Sequence, residues 1–264
     1  MTVMARHKIG LVLESLNLPF RNALRLAGTL GVDGVQVDAV GDLAPDQLST
    51  TGRKEVRHLL RSFGLELAAV GCPLRHGLHE AAHLEGRLAR VQKTQTLAYD
   101  LGARIVVTWP GSLPQADAPA RTIFTDSLTQ LGRHGDCVGV TLALAAGADP
   151  PAEFSAYLRT FTCGGLGVQI DPATLLLRRL DPPQVVTMFA DQIVYVHARD
   201  GVPERPDRLF EEVPLGHGEV DWVAFLGALE EVAYHGWLTL RRGPCADPAG
   251  DLKAGASLLR RLGA

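Results

Sequence analysis

Short blocks of consecutive apolar residues alternate along this chain with longer stretches whose apolar positions recur every three or four residues. The short blocks are "KIGLVL" (8–13), "GVQVD" (34–38), "LELAAVG" (65–71), "RIVVTW" (104–109), "GVTLAL" (139–144), "LGVQI" (166–170), "IVYVH" (193–197) and "WLTL" (237–240). They lack the alternation of a strand with one wet face, which predicts parallel strands buried on both sides. The longer stretches, among them "FRNALRLAGTLG", "GRKEVRHLLRSFG", "HLEGRLARVQKTQTLAYDLG", "VDWVAFLGALEEVAYHG" and "DLKAGASLLRRLG", read as amphipathic helices. Gly31 and Gly64 stand where the first two should stop. Eight strand–helix units over 264 residues give about 33 residues per unit, the arithmetic of a (β/α)8 barrel of eight parallel strands with outer helices. An open doubly wound sheet is the poorer fit, since "GLVLESLNLPF" carries no glycine-rich loop after the first strand. No linker or low-complexity tract divides the chain, so one domain over 1–264 is expected.

A barrel of this kind carries its chemistry at the C-terminal ends of its strands. Those positions hold Glu14, Asp38, Arg75 and His76 in "CPLRHG", Trp109, Ala145, Asp171, His197 with Arg199 and Asp200, and Arg241 with Arg242. Alternate residues of a strand face opposite sides, so Arg241 and Arg242 cannot both enter the mouth, and Arg241 is the one expected there. Arg75, Arg199, Arg241 and Arg242 can clasp a carboxylate or phosphate, or can pair with Glu66, Asp200, Glu204 or Glu212. Asp171 and His197 are the candidate anchors of catalysis. The other reading makes Asp171 a turn cap or the partner of Arg241, and His197 a satisfied buried histidine. His76, with an ordinary pKa near ~6.5, is a second proton-transfer candidate. Trp109 offers a face for a sugar ring. Glu14 contacts substrate, as a general base if it faces the axis. His217, in the "GHGEVD" loop, is placed to gate the mouth.

Charge narrows the partners. The formal net charge of −3 draws the chain neither to nucleic acid nor to an anionic membrane. No apolar run reaches the ~18 residues that cross a bilayer, and "MTVMARHKIGLVLESL" reads as a first strand in preference to a signal peptide. Cys72, Cys137, Cys163 and Cys245 form no CxxC pair, so neither a disulfide framework nor a structural zinc is expected. A reduced, cytoplasmic protein follows as the expectation.

Four motifs bring in a resemblance. The run "VPLGHGEVDWVAFLGALEEVAYHGWLTL" resembles the last units of the xylose-isomerase-like superfamily of sugar isomerases and epimerases. "GVQIDPATLLL", "VYVHARD" and "LGARIVVTWPG" resemble its sixth, seventh and fourth units. The resemblance implies a TIM barrel and a divalent metal, Mn²⁺, Mg²⁺ or Zn²⁺. The implied ligands are a Glu ending strand five, an Asp ending strand six, a His near the end of strand seven and a Glu ending strand eight. Asp171 and His197 match two of these ligands; Ala145 and Arg241 stand at the two Glu positions. Alanine has no donor atom and arginine has no lone pair to give.

The expected activity is therefore isomerisation or epimerisation of a small carbohydrate or sugar acid without the usual metal. His197 or His76 would be the base, and arginine would hold an oxyanion. The alternative is a non-catalytic or regulatory carbohydrate-binding barrel. The partner is a small carbohydrate, anionic if the arginines reach it, and the resemblance also implies a homodimer. A DNA-repair endonuclease of the same superfamily would need further zinc ligands, and Thr174 stands where that branch uses His.

Overall fold

Eight parallel strands close on themselves in the computed structural model, which describes residues 7–203 and 210–264. They are β1 (Lys8–Val12), β2 (Gly34–Asp38), β3 (Glu66–Gly71), β4 (Ile105–Thr108), β5 (Thr141–Ala145), β6 (Leu166–Ile170), β7 (Ile193–Ala198) and β10 (Trp237–Leu240). The order round the barrel is β1–β10–β7–β6–β5–β4–β3–β2, so the first strand and the last pair at the seam, with Lys8 opposite Trp237 and Leu11 opposite Leu240. The (β/α)8 expectation is met strand for strand. The expected helices appear as α1 (Phe20–Ala27), α2 (Thr50–Ser62), α3 (Leu84–Leu101), α8 (Trp222–Glu231) and α9 (Pro248–Arg261). The remaining helices are α4 (Pro119–Val138), α5 (Pro151–Leu158), α6 (Pro172–Leu177) and α7 (Pro182–Phe189). Among the described residues no helix is long and apolar enough to cross a membrane.

Strand alternation decides what fills the barrel. The lower interior is a small apolar cluster of Ala68, Ala69, Val107, Ala143 and Tyr195, with Ile105, Val194 and Trp237 packed against it. Trp237 is bulky, and the next two strands round the barrel, β1 and β2, give way to it with Gly10 and Gly34. A Cβ on Gly34 would lie 2.7 Å from the Trp237 ring and 2.5 Å from the Glu66 carbonyl oxygen. Neither neighbour is free to move, so Gly34→Ala is expected to cost about 2 kcal/mol by overpacking, read as a lower urea midpoint with an unchanged slope. Above the cluster, the Thr239 hydroxyl donates to the Tyr195 hydroxyl oxygen at 2.7 Å, which satisfies two buried polar groups and seals the barrel below the mouth.

One element was not anticipated. A two-stranded antiparallel pair, β8 (Asp200–Val202) with β9 (Glu211–Val213), stands on the seventh unit. Its anchor is Asp200, only 1% exposed, whose carboxylate accepts from the Gly201 and Gly216 amides at 2.8 Å, the Val220 amide at 3.2 Å and the Trp222 indole at 3.0 Å. The motif "GHGEVDW" gains a physical reason here. Gly216 takes a left-handed turn, and a Cβ on Gly218 would collide with the Asp200 carboxylate. Asp200 is thus a loop organiser and not the arginine partner considered from sequence; Glu204, the other partner in that region, lies outside the described residues.

Candidate active site

The mouth of the barrel is a cavity of about 760 Å³. Alternation selects its lining: Val12 and Glu14 from the first unit, Gln36 and Asp38 from the second, Val107 and Trp109 from the fourth, then Ala145, Gln169, His197 and Arg241. Pro73 and Leu74 form part of the wall. The next residue along, Arg242, also borders the cavity, but its guanidinium is engaged: its Nε donates to Asp251 at 2.8 Å and its Nη1 to the Glu212 carbonyl oxygen at 2.8 Å.

Two carboxylates occupy one wall. Glu14 Oε1 accepts from the Asp38 backbone amide at 2.7 Å, which fixes the glutamate beside the aspartate. Gly71 makes room for the latter, since a Cβ there would strike the Asp38 carboxylate. Partial desolvation in the cavity wall raises the Glu14 pKa to about 7, and the neighbouring Asp38 charge adds to the rise; Arg241 pulls the other way. Asp38 is also raised by burial, against the attraction of Arg241 and a hydrogen bond from Gln36. Glu14 is thus a carboxyl poised to change charge near neutral pH.

A hydrogen-bonded chain crosses the floor. His197 is 4% exposed and its Nε2 lies 2.8 Å from Gln36 Oε1. A carbonyl oxygen only accepts, so the imidazole donates through Nε2–H. Burial pushes the His197 pKa down to about 3, with Arg241 and Arg199 reinforcing the effect and Asp171 opposing it. His197 is therefore a neutral imidazole at physiological pH. The Gln36 amide in turn bonds Asp38, so the neutral histidine orients the aspartate through one glutamine.

The residues singled out from sequence fall into three places. Glu14, Trp109, His197 and Arg241 meet in the cavity. Asp171 and Arg199 do not line it: Asp171 caps α6 by accepting from the Thr174 amide at 3.1 Å, and its other oxygen takes Arg199 Nη1 at 2.8 Å. Arg199 also pairs with Glu212. The partner of Asp171 is thus Arg199 where Arg241 had been considered, because strand alternation sends Arg241 into the mouth. Burial alone would raise the Asp171 carboxyl, but Arg199 holds it below the ordinary range. Arg75 and His76 line a separate groove of about 820 Å³ that meets the cavity at Pro73 and Leu74, and His76 Nδ1 pairs there with Glu80 at 3.0 Å. His217 is exposed and does not line the cavity. Sequence reasoning missed Gln36 and Gln169. Both are polar residues inside apolar strand runs, on the inward alternation two positions before Asp38 and Asp171, and that placement was the signal available.

The four-ligand cation site does not fit these residues. Ala145 offers no donor, and Arg241 puts a cation where a carboxylate is needed. Both Asp171 oxygens are already engaged, and the Nε2–H of His197 is held by Gln36. Among the described residues, no group of three His, Cys, Asp or Glu side chains could hold a metal ion.

The profile of the xylose isomerase-like TIM barrel family matches residues 24–262. No curated protein matches the chain. Among solved structures, a xylose isomerase domain protein from Planctomyces limnophilus is 22% identical, with a TM-score of 0.86 over 97% of both chains. A xylose isomerase-like TIM barrel protein from Mycobacterium smegmatis, in complex with magnesium, is 18% identical, with a TM-score of 0.79 over 97% of this chain and 96% of that one. A D-allulose 3-epimerase from Methylomonas sp., in complex with D-allulose, is 17% identical, with a TM-score of 0.75 over 98% of both chains.

Proposed function

The chain belongs to the xylose isomerase-like TIM barrel family, and from that premise we propose that it is a carbohydrate isomerase in which Glu14 moves the proton. One observation carries the reading: the Glu14–Asp38 pair faces the cavity with Arg241 close enough to act on both charges. Glu14, as carboxylate, takes the C–H proton next to a substrate carbonyl. The electron pair left on carbon moves to the carbonyl oxygen, giving an enediolate whose negative oxygen the Arg241 guanidinium stabilises. Within the cis-enediolate the neighbouring hydroxyl passes its proton to that oxygen, its own oxygen becomes the new carbonyl, and the same carboxyl returns the abstracted proton to the former carbonyl carbon. Glu14 and Asp38 stand on one wall, so they reach one face of the substrate. One base on one face suits transfer between neighbouring carbons; inversion at a single carbon asks for donors on two faces. The cavity is large enough to take a small carbohydrate, and Trp109 offers it an apolar face. His197, neutral and hydrogen-bonded, orients Asp38 instead of acting as base.

The second reading, a barrel that binds a carbohydrate without converting it, is favoured by Ala145 and Arg241 at the two carboxylate positions. Proton NMR in D2O separates the two. Protein treated with EDTA is incubated with a panel of aldoses, ketoses and hexuronates, and deuterium incorporation is followed. Turnover with label at one of the two exchanging carbons, unchanged by the chelator, is the expected result. No incorporation from any sugar, with or without added Mn²⁺, Mg²⁺ or Zn²⁺, together with a rise in melting temperature from one of them, would establish the binding protein instead.

A further inference from the structure

Ala145 and Gln169 are register partners on β5 and β6. Gln169 is 3% exposed and lines the cavity, yet its amide Nε2 has no hydrogen-bond partner. A buried amide N–H left unmade costs about 1–3 kcal/mol, so this position awaits an acceptor. The alanine beside it provides no acceptor atom, where a glutamate would have supplied one. Further round the barrel, in the strand order β6–β7–β10, stands Arg241. Its guanidinium is exposed to the cavity and has no salt-bridge partner among the described residues. His197 lies between them, adds no charge, and has its Nε2–H committed to Gln36. On the other side of Arg241, across β1, Glu14 and Asp38 feel its charge, but neither forms a salt bridge with it. This part of the mouth thus presents a cation and an orphan donor.

We propose that Gln169 and Arg241 together hold a carboxylate of the ligand, so that the substrate is a sugar acid that also carries an aldehyde or ketone, a uronate or a keto acid of sugar length, in place of a neutral sugar. The word substrate rests on the isomerase reading; the anion site does not. A guanidinium and an amide N–H suit the two oxygens of a carboxylate, and a charge-assisted hydrogen bond is about twice as strong as a neutral one. A neutral sugar offers hydroxyls that the amide can use but no charge for the arginine.

The test is calorimetry on the full chain at pH 7 with D-gluconate and D-glucitol, which differ only in the terminal carboxylate. Gluconate is expected to bind at least about tenfold more tightly. Arg241→Met should weaken gluconate by about tenfold or more and erase its preference over glucitol, and Gln169→Leu should weaken both probes, gluconate the more, with melting curves confirming that each variant is folded. Arg241 is exposed, so its variant remains informative even if the buried Gln169 variant unfolds. Equal affinities for the two probes, no binding of either, or gluconate binding untouched by Arg241→Met would overturn the proposal. Gluconate preference with no turnover of any sugar would keep the anion site and remove the isomerase reading. Turnover of neutral ketoses with no preference for acids would do the reverse.

Discussion

Glu14→Gln is expected to lower kcat/KM by about a thousandfold, the scale of a lost general base. The exchange is nearly isosteric. Glutamine keeps a side-chain oxygen to accept the Asp38 amide, the bond that holds the residue in place at 2.7 Å, so the fold and the ligand affinity should survive. What disappears is the carboxylate that takes the proton. The pH profile of the unaltered protein supplies a second readout. Glu14 must be ionised to act, and its pKa is raised to about 7, so kcat/KM should fall about tenfold per pH unit below that value and level off above it. Stability runs the opposite way. A carboxyl raised by folding favours the folded state below its ordinary pKa, and that contribution is lost as pH climbs through about 7. Because the side chain opens on cavity water, screening leaves this effect on the order of 1 kcal/mol. The glutamine variant should therefore melt higher than the parent at pH 8 and close to it, or slightly below, at pH 5. A profile flat from pH 5 to 9, or a variant of full activity, would remove Glu14 from the chemistry.

Asp200→Ala should be the most damaging change to stability, about 4 kcal/mol. Four N–H groups, from Gly201, Gly216, Val220 and the Trp222 indole, lose their shared acceptor at once. Each stranded donor costs about 1–3 kcal/mol, and water reaching the loosened loop recovers part of the total. For a chain of this length the loss corresponds to roughly 10 °C in melting temperature by circular dichroism. Asp200→Asn keeps one oxygen acceptor and should fall between the two. An alanine variant that melts with the parent would show that the β8–β9 pair is held by something other than this carboxylate.

The barrel was legible because its strands are apolar on both faces, a pattern that side-chain burial imposes directly on sequence. The β8–β9 pair was not, since three-residue strands of mixed polarity, "DGV" and "EEV", leave no periodic trace. The site was legible in part. Position at a strand end placed Glu14, Trp109, His197 and Arg241 at the mouth, where they line the cavity. Which arginine takes Asp171 depends on where two side chains turn after leaving neighbouring strands, and spacing does not encode that. The hydrogen bond that engages His197 is no more visible from spacing, since its partner Gln36 lies 161 residues away in sequence. Gln36 and Gln169 were each visible as a lone amide in an apolar run, a mark of a polar interior that was there to be read.

The seam of the barrel carries a consequence for synthesis on the ribosome. Glu14 follows β1 and Arg241 follows β10, the two strands that meet only when the ring closes. Until the last strand emerges and docks, a nascent chain has the proton-moving carboxyl without the arginine beside it. On the proposed reading, the two halves of the site therefore come together only in the final assembly step.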